Sequence, residues 1–248
     1  MALLDTWTRG EHTGDSLDGD TLTFPTHRKG QGPGVIVIHE IPGLIPEVIE
    51  FGEEVVAGGF TVVLPQLFGR LEESKGPLSI ARTMRHVCVR KEFTKLATRE
   101  TSPVAGWLRS LARELHAELG GPGVGALGMC FTGGFALAMM VDESVAAPVM
   151  CQPAVPFAIG RRRAADLNLS PADLETVRQR AGAGCQVLGL QYDKDPATGS
   201  RFDTLGREIG DAFIRVEFPG RKHSTVTVHR QQAAVDRALS FLGEKLRG

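Results

Sequence analysis

The chain has 248 residues, with 28 basic and 29 acidic side chains and a formal net charge of −1. A hydrophobic share of 42% and a charged share of 23% are typical of a globular protein and exclude the disordered and fibrous classes. Because the charge is nearly balanced, no overall field recruits nucleic acid or an anionic membrane, and we expect neither as a partner.

The N-terminal segment has no basic stretch followed by an apolar run, and 18 consecutive apolar residues occur nowhere. This pattern predicts a cytoplasmic protein. Cys88, Cys130, Cys151 and Cys185 are far apart, with no CxxC pair and no Cys/His cluster at the spacing of metal ligands. We therefore predict reduced thiols, of which one can be catalytic, and neither disulfides nor a bound metal.

Short apolar runs bounded by Gly or Pro alternate with longer segments of helical periodicity, which predicts repeated βαβ units. The weakly alternating first 30 residues predict an antiparallel hairpin at one edge of the sheet. The predicted strands after it cover 34–40, 60–65, 124–129, 145–153, 185–192 and 212–218. The predicted helices cover 46–58, 79–97, 102–119, 131–141, 170–181, 200–210 and 228–246. The near-continuous hydrophobicity of the strands suits a mostly parallel sheet with helices on both faces.

No linker rich in Ser, Pro or Gly and no repeat of fixed period divides the chain, so we predict one α/β domain over residues 1–248. In open α/β sheets, ligand sites form where loops leave the carboxyl ends of the strands. Catalytic residues are therefore expected in those loops.

The segment GALGMCFTGG presents Cys130 directly after a predicted strand and before a predicted helix. A nucleophile elbow has this shape, because its sharp turn needs small residues where strand and helix nearly touch. Gly128, Gly133 and Gly134 are predicted to provide that room. The helix N-terminus favours a thiolate and offers a backbone N–H to an oxyanion. For Cys130 taken alone, a buried inert cysteine is an equally good interpretation.

Candidate acids and bases follow the last two predicted strands. His223 can take the thiol proton as general base, although an exposed loop histidine is the alternative. His229, predicted inside the last helix, is a weaker candidate. Asp193 and Asp195 follow the strand at 185–192, and either can orient the imidazole or merely serve the turn.

Glu40 ends the strongly apolar segment at 34–40, where a charge is costly unless it is hydrogen-bonded or functional. A helix-capping or surface carboxylate is the alternative, and the neighbouring His39 suits a hydrogen-bonded core histidine. The loop after this strand supplies the second oxyanion donor in α/β-hydrolases, which indicates the N–H of Ile41. Titratable groups at successive strand ends, in the order nucleophile, acid and base, together predict a hydrolytic site.

These motifs resemble those of the dienelactone hydrolase family, a branch of the α/β-hydrolases with a Cys nucleophile. The resemblance covers about residues 30–245 and rests on HEIPG at 39–43, GMCFTGG at 128–134, DPATGSRFDTL at 195–205 and KHS at 222–224. It implies hydrolysis of a small ester or lactone without a metal or organic cofactor. The roles that the resemblance implies are nucleophile for Cys130, base for His223, acid for Asp195, a carboxylate that holds or deprotonates the thiol for Glu40, and oxyanion amides for Ile41 and Phe131.

The sequence departs from the family pattern at two positions. Thr132 stands where the family commonly has Gly two residues after the nucleophile. Thr227 stands where the best-known members have an Arg that binds the substrate carboxylate. Arg85 or Arg90 is the predicted replacement cation, although a solvated surface role suits both equally well. The sequence therefore leaves the acyl substrate open.

Other functions fit parts of the same pattern. A non-catalytic protein of this fold that binds a small carboxylated ligand is the rival hypothesis, since fold alone does not fix function. A thioesterase or a general carboxylesterase is the closest alternative among enzymes. A redox-sensing thiol is a third hypothesis, but such a thiol needs no acid and base at other strand ends.

Overall fold

The computed structural model describes residues 2–93, 98–154 and 160–247. Eight strands belong to a single sheet: β1 Thr8–Asp15, β2 Thr21–Lys29, β3 Gly34–Ile38, β4 Thr61–Pro65, β5 Val124–Met129, β6 Val145–Cys151, β7 Val187–Tyr192 and β8 Phe213–Phe218. Their order across the sheet is β1-β2-β4-β3-β5-β6-β7-β8. The β1–β2 and β2–β4 pairs are antiparallel, and all the other pairs are parallel. The sheet is therefore mostly parallel, with an N-terminal hairpin at one edge.

Helices connect the parallel strands and cover both faces of the sheet. They are α1 Pro46–Ala57, α2 Pro77–Val89, α3 Val104–Leu119, α4 Gly133–Met139, α5 Arg161–Ala164, α6 Pro171–Gly182, α7 Arg201–Ile209 and α8 Gln232–Leu246. Within the described ranges, no helix is both long enough and apolar enough to cross a membrane.

The alternation of side chains along β3 builds two separate apolar layers. Val35 and Val37 pack on one face of the sheet in a cluster that includes residues of α1 and α8. Ile36 and Ile38 point to the opposite face, where they join a cluster that includes residues of α3 and α4. Because successive residues of a strand face opposite ways, a strand buried on both sides must be apolar throughout, as GVIVI is.

Strand register brings the candidate residues together. In the parallel pairing, Ile38 of β3 lies opposite Gly128 of β5, and Met129 of β5 lies opposite Cys151 of β6. The carboxyl ends of these three central strands are therefore level. Glu40 and Cys130, which follow two of them, leave the sheet at the same edge.

The α/β fold, the parallel strands and the edge hairpin are confirmed, and the main correction concerns the last helix. It begins at Gln232, so the prediction that His229 lies inside it is wrong. The reason is a preceding turn, in which the His229 N–H donates to the Ser224 carbonyl and the Gln231 N–H to the Thr225 carbonyl. The helix predicted over 79–97 is Pro77–Val89 in the structure, and positions 94–97 lie outside the described residues.

The cysteines that the structure describes are free thiols. Cys151 is buried, and Cys130 and Cys185 are half-buried. The side chain of Cys88 lies outside the described part of the chain.

Candidate active site

Cys130 lies on a sharp turn between β5 and α4. Its φ of 54° is in the left-handed region, which L side chains adopt at a cost of roughly 1 kcal/mol or more. A single 3-10 turn, Cys130–Thr132, leads from the strand into the helix. The nucleophile elbow predicted from the sequence therefore has the expected backbone form.

Two glycines make this turn possible. A Cβ on Gly128 would lie 2.1 Å from the carbonyl oxygen of Thr132, and one on Gly133 would lie 2.8 Å from the Cα of Pro153. Both contacts are with main-chain atoms, which have little freedom to move. The prediction that Gly134 also provides room is wrong, because a Cβ there would have its nearest described neighbour at 3.8 Å.

Thr132 replaces the glycine that the family pattern has at this position. Its φ of −88° needs no glycine, and its side chain is buried. The hydroxyl accepts the N–H of Met129 at 3.0 Å and lies 3.0 Å from the carbonyl oxygen of Ile38. The threonine therefore ties the elbow to the end of β3, where Glu40 begins its loop.

His223 and Asp195 form a directly bonded pair. The Nδ1 atom of His223 lies 2.5 Å from Oδ2 of Asp195. The Asp195 carboxylate also accepts the N–H of Ala197 at 3.0 Å and the hydroxyl of Thr198 at 3.0 Å. Asp195 is buried and has its other partners in its own loop, so it is held rigidly against the imidazole.

The electrostatics of this pair favour a protonated ring. Burial alone would lower the pKa of His223, but hydrogen bonds to Asp195 and Cys130, together with the charges of both groups, raise it to about 10. Burial also works to raise the pKa of the Asp195 carboxyl, yet the hydrogen bond and charge of His223 leave it below its ordinary value. Protonation of the ring is thus favoured at neutral pH, with the Asp195 carboxylate on one side and the Cys130 sulfur on the other.

Cys130, His223 and Glu40 meet at one point. The sulfur, a ring nitrogen and a carboxylate oxygen of these residues all lie within 4.8 Å of one another. Thiolate, imidazole and carboxylate are also zinc ligands, so these three residues form the candidate metal-binding set of the described chain. The positive charges of the His223 imidazolium and the Lys75 ammonium would repel a metal ion at this point. The arrangement is better suited to proton transfer.

Glu40 is fully buried, and both of its carboxylate oxygens are hydrogen-bonded. Oε1 accepts the hydroxyl of Thr227 at 2.6 Å. Oε2 accepts the hydroxyl of Ser224 at 2.8 Å and the ammonium of Lys75 at 2.7 Å. Sequence patterns indicated Thr227 only as a missing arginine, and they did not indicate Lys75 or Ser224. Spacing along the sequence could not indicate Lys75 and Ser224, because both lie in loops far from Glu40 in the chain.

The loop that carries His223 is anchored at several points. Thr225 donates its N–H and its hydroxyl to Oε1 of Gln152, at 3.0 and 2.6 Å, directly after β6. The hydroxyl of Tyr192, at the end of β7, donates to the His229 carbonyl. These bonds, with those of Ser224 and Thr227 to Glu40, fix the imidazole relative to three strand ends.

The two predicted oxyanion donors lie beside the elbow. Phe131 follows Cys130 at the start of the helical segment, where the first N–H groups have no acceptor within the helix. Ile41 follows Glu40 in the turn after β3, and its side chain packs in the same apolar cluster as Phe131. Their amides therefore belong to the two loops that meet at the sulfur.

Three weaker candidates have structural partners instead. The Leu67 N–H donates to Nε2 of His39 at 3.1 Å, and Nδ1 of this histidine lies 3.1 Å from the Glu40 carbonyl. Burial lowers the pKa of His39 to about 4, which marks a neutral core histidine. Asp193 is exposed and accepts the Gly220 N–H at 2.7 Å. His229 accepts the His223 N–H on its Nδ1 atom at 3.3 Å.

The two arginines considered as substrate cations lie on and just after α2. Arg85 is exposed. Arg90 pairs with Glu92, and its guanidinium lies 6.0 Å from the centre of the Phe93 ring. Arg90 also lines a cavity of about 350 Å³, and none of Cys130, Glu40 and His223 is among the lining residues of that cavity. Six of the eight predicted site residues therefore lie together, and no contact in the described part of the chain joins Arg85 or Arg90 to Cys130, Glu40 or His223.

Sequence comparison supplies a family match. Residues 20–172 match the sequence model of the dienelactone hydrolase family. No curated protein matches the chain significantly.

Similar folds occur among solved structures. A candidate dienelactone hydrolase from Klebsiella pneumoniae subsp. pneumoniae MGH 78578 is 16% identical, with 97% of this chain and 98% of that chain covered and a TM-score of 0.61. A cold-adapted esterase from an Arctic intertidal metagenomic library is 14% identical over 96% and 95% of the two chains, with a TM-score of 0.61. A dienelactone hydrolase-like promiscuous phosphotriesterase from metagenomic libraries is 16% identical over 96% and 99%, with a TM-score of 0.60. At these identities the likeness is one of fold.

Proposed function

The chain belongs to the dienelactone hydrolase family of carboxylic ester hydrolases, and from this premise we propose that it cleaves small esters or lactones through a thioester on Cys130. The observation that carries the proposal is the position of the His223 ring, which is bonded to Asp195 on one side and meets the Cys130 sulfur on the other. A nucleophile, a base in contact with it and a third group that orients the base are the parts that covalent catalysis needs.

In the proposed acylation step, His223 already holds the proton of Cys130, and the thiolate sulfur bonds to the carbonyl carbon of the substrate. The amides of Phe131 and Ile41 hold the resulting oxyanion. The bond from carbon to the leaving oxygen then breaks, and that oxygen takes the proton from His223. The products of this step are a thioester on Cys130 and a free hydroxyl group, which in a lactone stays attached to the acyl chain.

Deacylation uses the same groups in the reverse direction. His223 removes a proton from water as the oxygen adds to the thioester carbonyl, and the carbon–sulfur bond breaks to release the acid. Asp195 keeps the ring in the orientation that both steps require and stabilises the imidazolium. No step needs a metal ion or an organic cofactor.

Between the two groups that can receive the thiol proton, we propose His223. Its raised pKa supports the ring as the group that holds this proton at neutral pH. Both oxygens of Glu40 already accept hydrogen bonds from Lys75, Ser224 and Thr227. In this proposal Glu40 contributes a negative charge beside Cys130 and does not accept the thiol proton.

The wider setting is also a proposal. The single sheet supports one domain over the whole chain. The free thiols suit a cytoplasmic enzyme, because a reducing compartment keeps a catalytic cysteine reactive. The partner is a small-molecule ester or lactone.

Substitution of the nucleophile tests the proposal. Cys130→Ala is expected to lower kcat/KM for an activated aryl ester by about 1,000-fold or more, while the thermal unfolding midpoint stays close to that of the parent. Cys185→Ala is the matched control, since Cys185 is also a half-buried free thiol and its sulfur lies 3.7 Å from the Ala146 carbonyl oxygen. Full activity in Cys130→Ala would overturn the mechanism.

Substrate choice is tested separately. A panel of dienelactones, aryl esters and acyl thioesters, assayed with the pure protein, separates a lactone hydrolase from a general carboxylesterase and from a thioesterase. We expect turnover of at least one oxygen ester or lactone. Binding of a carboxylated ligand without turnover of any of these substrates would favour a non-catalytic binding protein.

A further inference from the structure

Lys75 reaches the active site from the loop before α2. Its Nζ atom lies 2.7 Å from Oε2 of Glu40 and 3.1 Å from the hydroxyl oxygen of Ser224. The side chain is 20% exposed, whereas the Glu40 side chain is inaccessible to solvent. In the described part of the chain, this is the one ion pair that Glu40 makes.

The charge of Glu40 acts on the sulfur atoms around it. Burial raises the pKa of the Cys151 thiol, and the negative charge of Glu40 raises it further. The Cys130 sulfur lies within 4.8 Å of a Glu40 oxygen. An unpaired carboxylate at that distance would oppose a second negative charge on Cys130, because a buried pair is little screened by water.

Several other charged groups face this point. The His223 ring, held by Asp195, contacts the sulfur from the loop after β8. Burial and the charges of Lys75, Lys222 and His223 lower the pKa of His229, and the charge of Glu40 opposes this effect. Of these groups, Lys75 alone is in direct contact with the Glu40 carboxylate as a cation.

We propose that Lys75 is a positioning residue that neutralises Glu40, and that this neutralisation allows Cys130 to ionise beside a buried carboxylate. The inference rests on the proposed function, in which Cys130 reacts as a thiolate. Lys75 acts here through Glu40 and the charge balance of the site. It needs no contact with the reacting carbonyl.

The test measures the pH dependence of two reactions. One is kcat/KM for an aryl ester, and the other is the rate of alkylation of Cys130 by iodoacetamide, which needs no catalysis. Lys75→Met is expected to move the acidic limb of both profiles to higher pH by about one unit, and Glu40→Gln is expected to move it to lower pH. The double variant Lys75→Met/Glu40→Gln should return the limb to near its parental position, because it removes both charges.

Two further variants separate charge from structure. Lys75→Arg keeps a cation beside Glu40 and should keep the parental profile. Lys222→Met removes a nearby exposed cation that makes no ion pair with Glu40, so its limb should move by no more than a few tenths of a unit. The proposal would be overturned if the acidic limb of Lys75→Met lay at the parental pH. It would also be overturned if the acidic limb of the double variant lay at the same pH as that of Lys75→Met.

The alkylation profile keeps this test separate from the test of the mechanism. If Cys130→Ala retained hydrolysis, the proposed function would fail, but alkylation would still report whether Lys75 governs the ionisation of Cys130. If Lys75→Met unfolded, the downward shift in Glu40→Gln would remain a test, and its absence would contradict the proposed role of Lys75.

Discussion

Two buried carboxylates stand at the same edge of the sheet, and their surroundings differ in a way that explains their different uses. Asp195 has a histidine and two hydrogen-bond donors from its own loop. Glu40 has an ammonium and two hydroxyls, all from segments distant in the chain. Asp195 is therefore suited to orient one ring, whereas the charge of Glu40 depends on tertiary contacts that bring a cation to it.

Removing the charge of Asp195 tests this difference between the carboxylates most strongly. Asp195→Asn is expected to lower kcat by about 1,000-fold or more, because the ring loses the group that orients it and stabilises its charge. Asp193→Asn is the matched control, since Asp193 is exposed and its carboxylate accepts the Gly220 N–H in a turn, and it should retain nearly full activity. Equal losses in the two variants would contradict the assignment of Asp195 as the acid.

The charge state of His223 gives a second prediction. Its pKa of about 10 is above the ordinary value of 6.5, so protonation stabilises the folded state fully below about pH 6.5, and this contribution is lost as the pH rises through 10. Unfolding free energy should therefore fall between pH 6.5 and 10. In Asp195→Asn this dependence should weaken, because the hydrogen bond that raises the pKa is lost.

Titration of the His223 ring by NMR measures the same effect directly. The ring signal of the parent protein should change near pH 10, and in Asp195→Asn it should change at a lower pH. Cys130→Ala should also lower the midpoint, because the hydrogen bond and charge of Cys130 contribute to the raised pKa. A parental midpoint near 6.5 would show that the ring is not held as an imidazolium.

The smallest effect is expected from the hydroxyls around Glu40. Thr227→Val preserves the shape of the side chain but removes the donor to Oε1, and it should cost about 1–3 kcal/mol of unfolding free energy. Ser224→Ala should cost less, because Oε2 keeps Lys75 as a partner. Chemical denaturation of both variants checks the order, and a larger loss in Ser224→Ala would contradict the role of Lys75 as the main partner of Oε2.

The sequence predicted the parts of the site that depend on strand ends. Cys130, Asp195, His223 and Glu40 each follow an apolar run, and a parallel sheet necessarily gathers such positions at one edge. Asp195 could be favoured over Asp193 only by resemblance. Its contact with His223 depends on how the loop turns after β7, which no local pattern encodes.

The parts that the sequence did not predict come from loop side chains whose direction is set by tertiary packing. Lys75 lies in a loop with no apolar periodicity that could fix its orientation. Thr227 was notable in the sequence only because it replaces an arginine, yet its hydroxyl donates to Glu40. Arg85 and Arg90 are prominent in the sequence as candidate replacement cations. The ammonium that enters the site instead belongs to the loop before α2.

The central claim, a thioester on Cys130, is tested most directly by trapping the acyl-enzyme. Asp195→Asn should slow deacylation, so mass spectrometry of this variant after mixing with an aryl ester should show one acyl group, located on the peptide that contains Cys130. Adding Cys130→Ala should abolish the adduct. Two results would contradict the thioester mechanism while the parent enzyme releases the acid. One is the absence of any adduct on Cys130 in the slowed variant, and the other is an acyl group on a different residue.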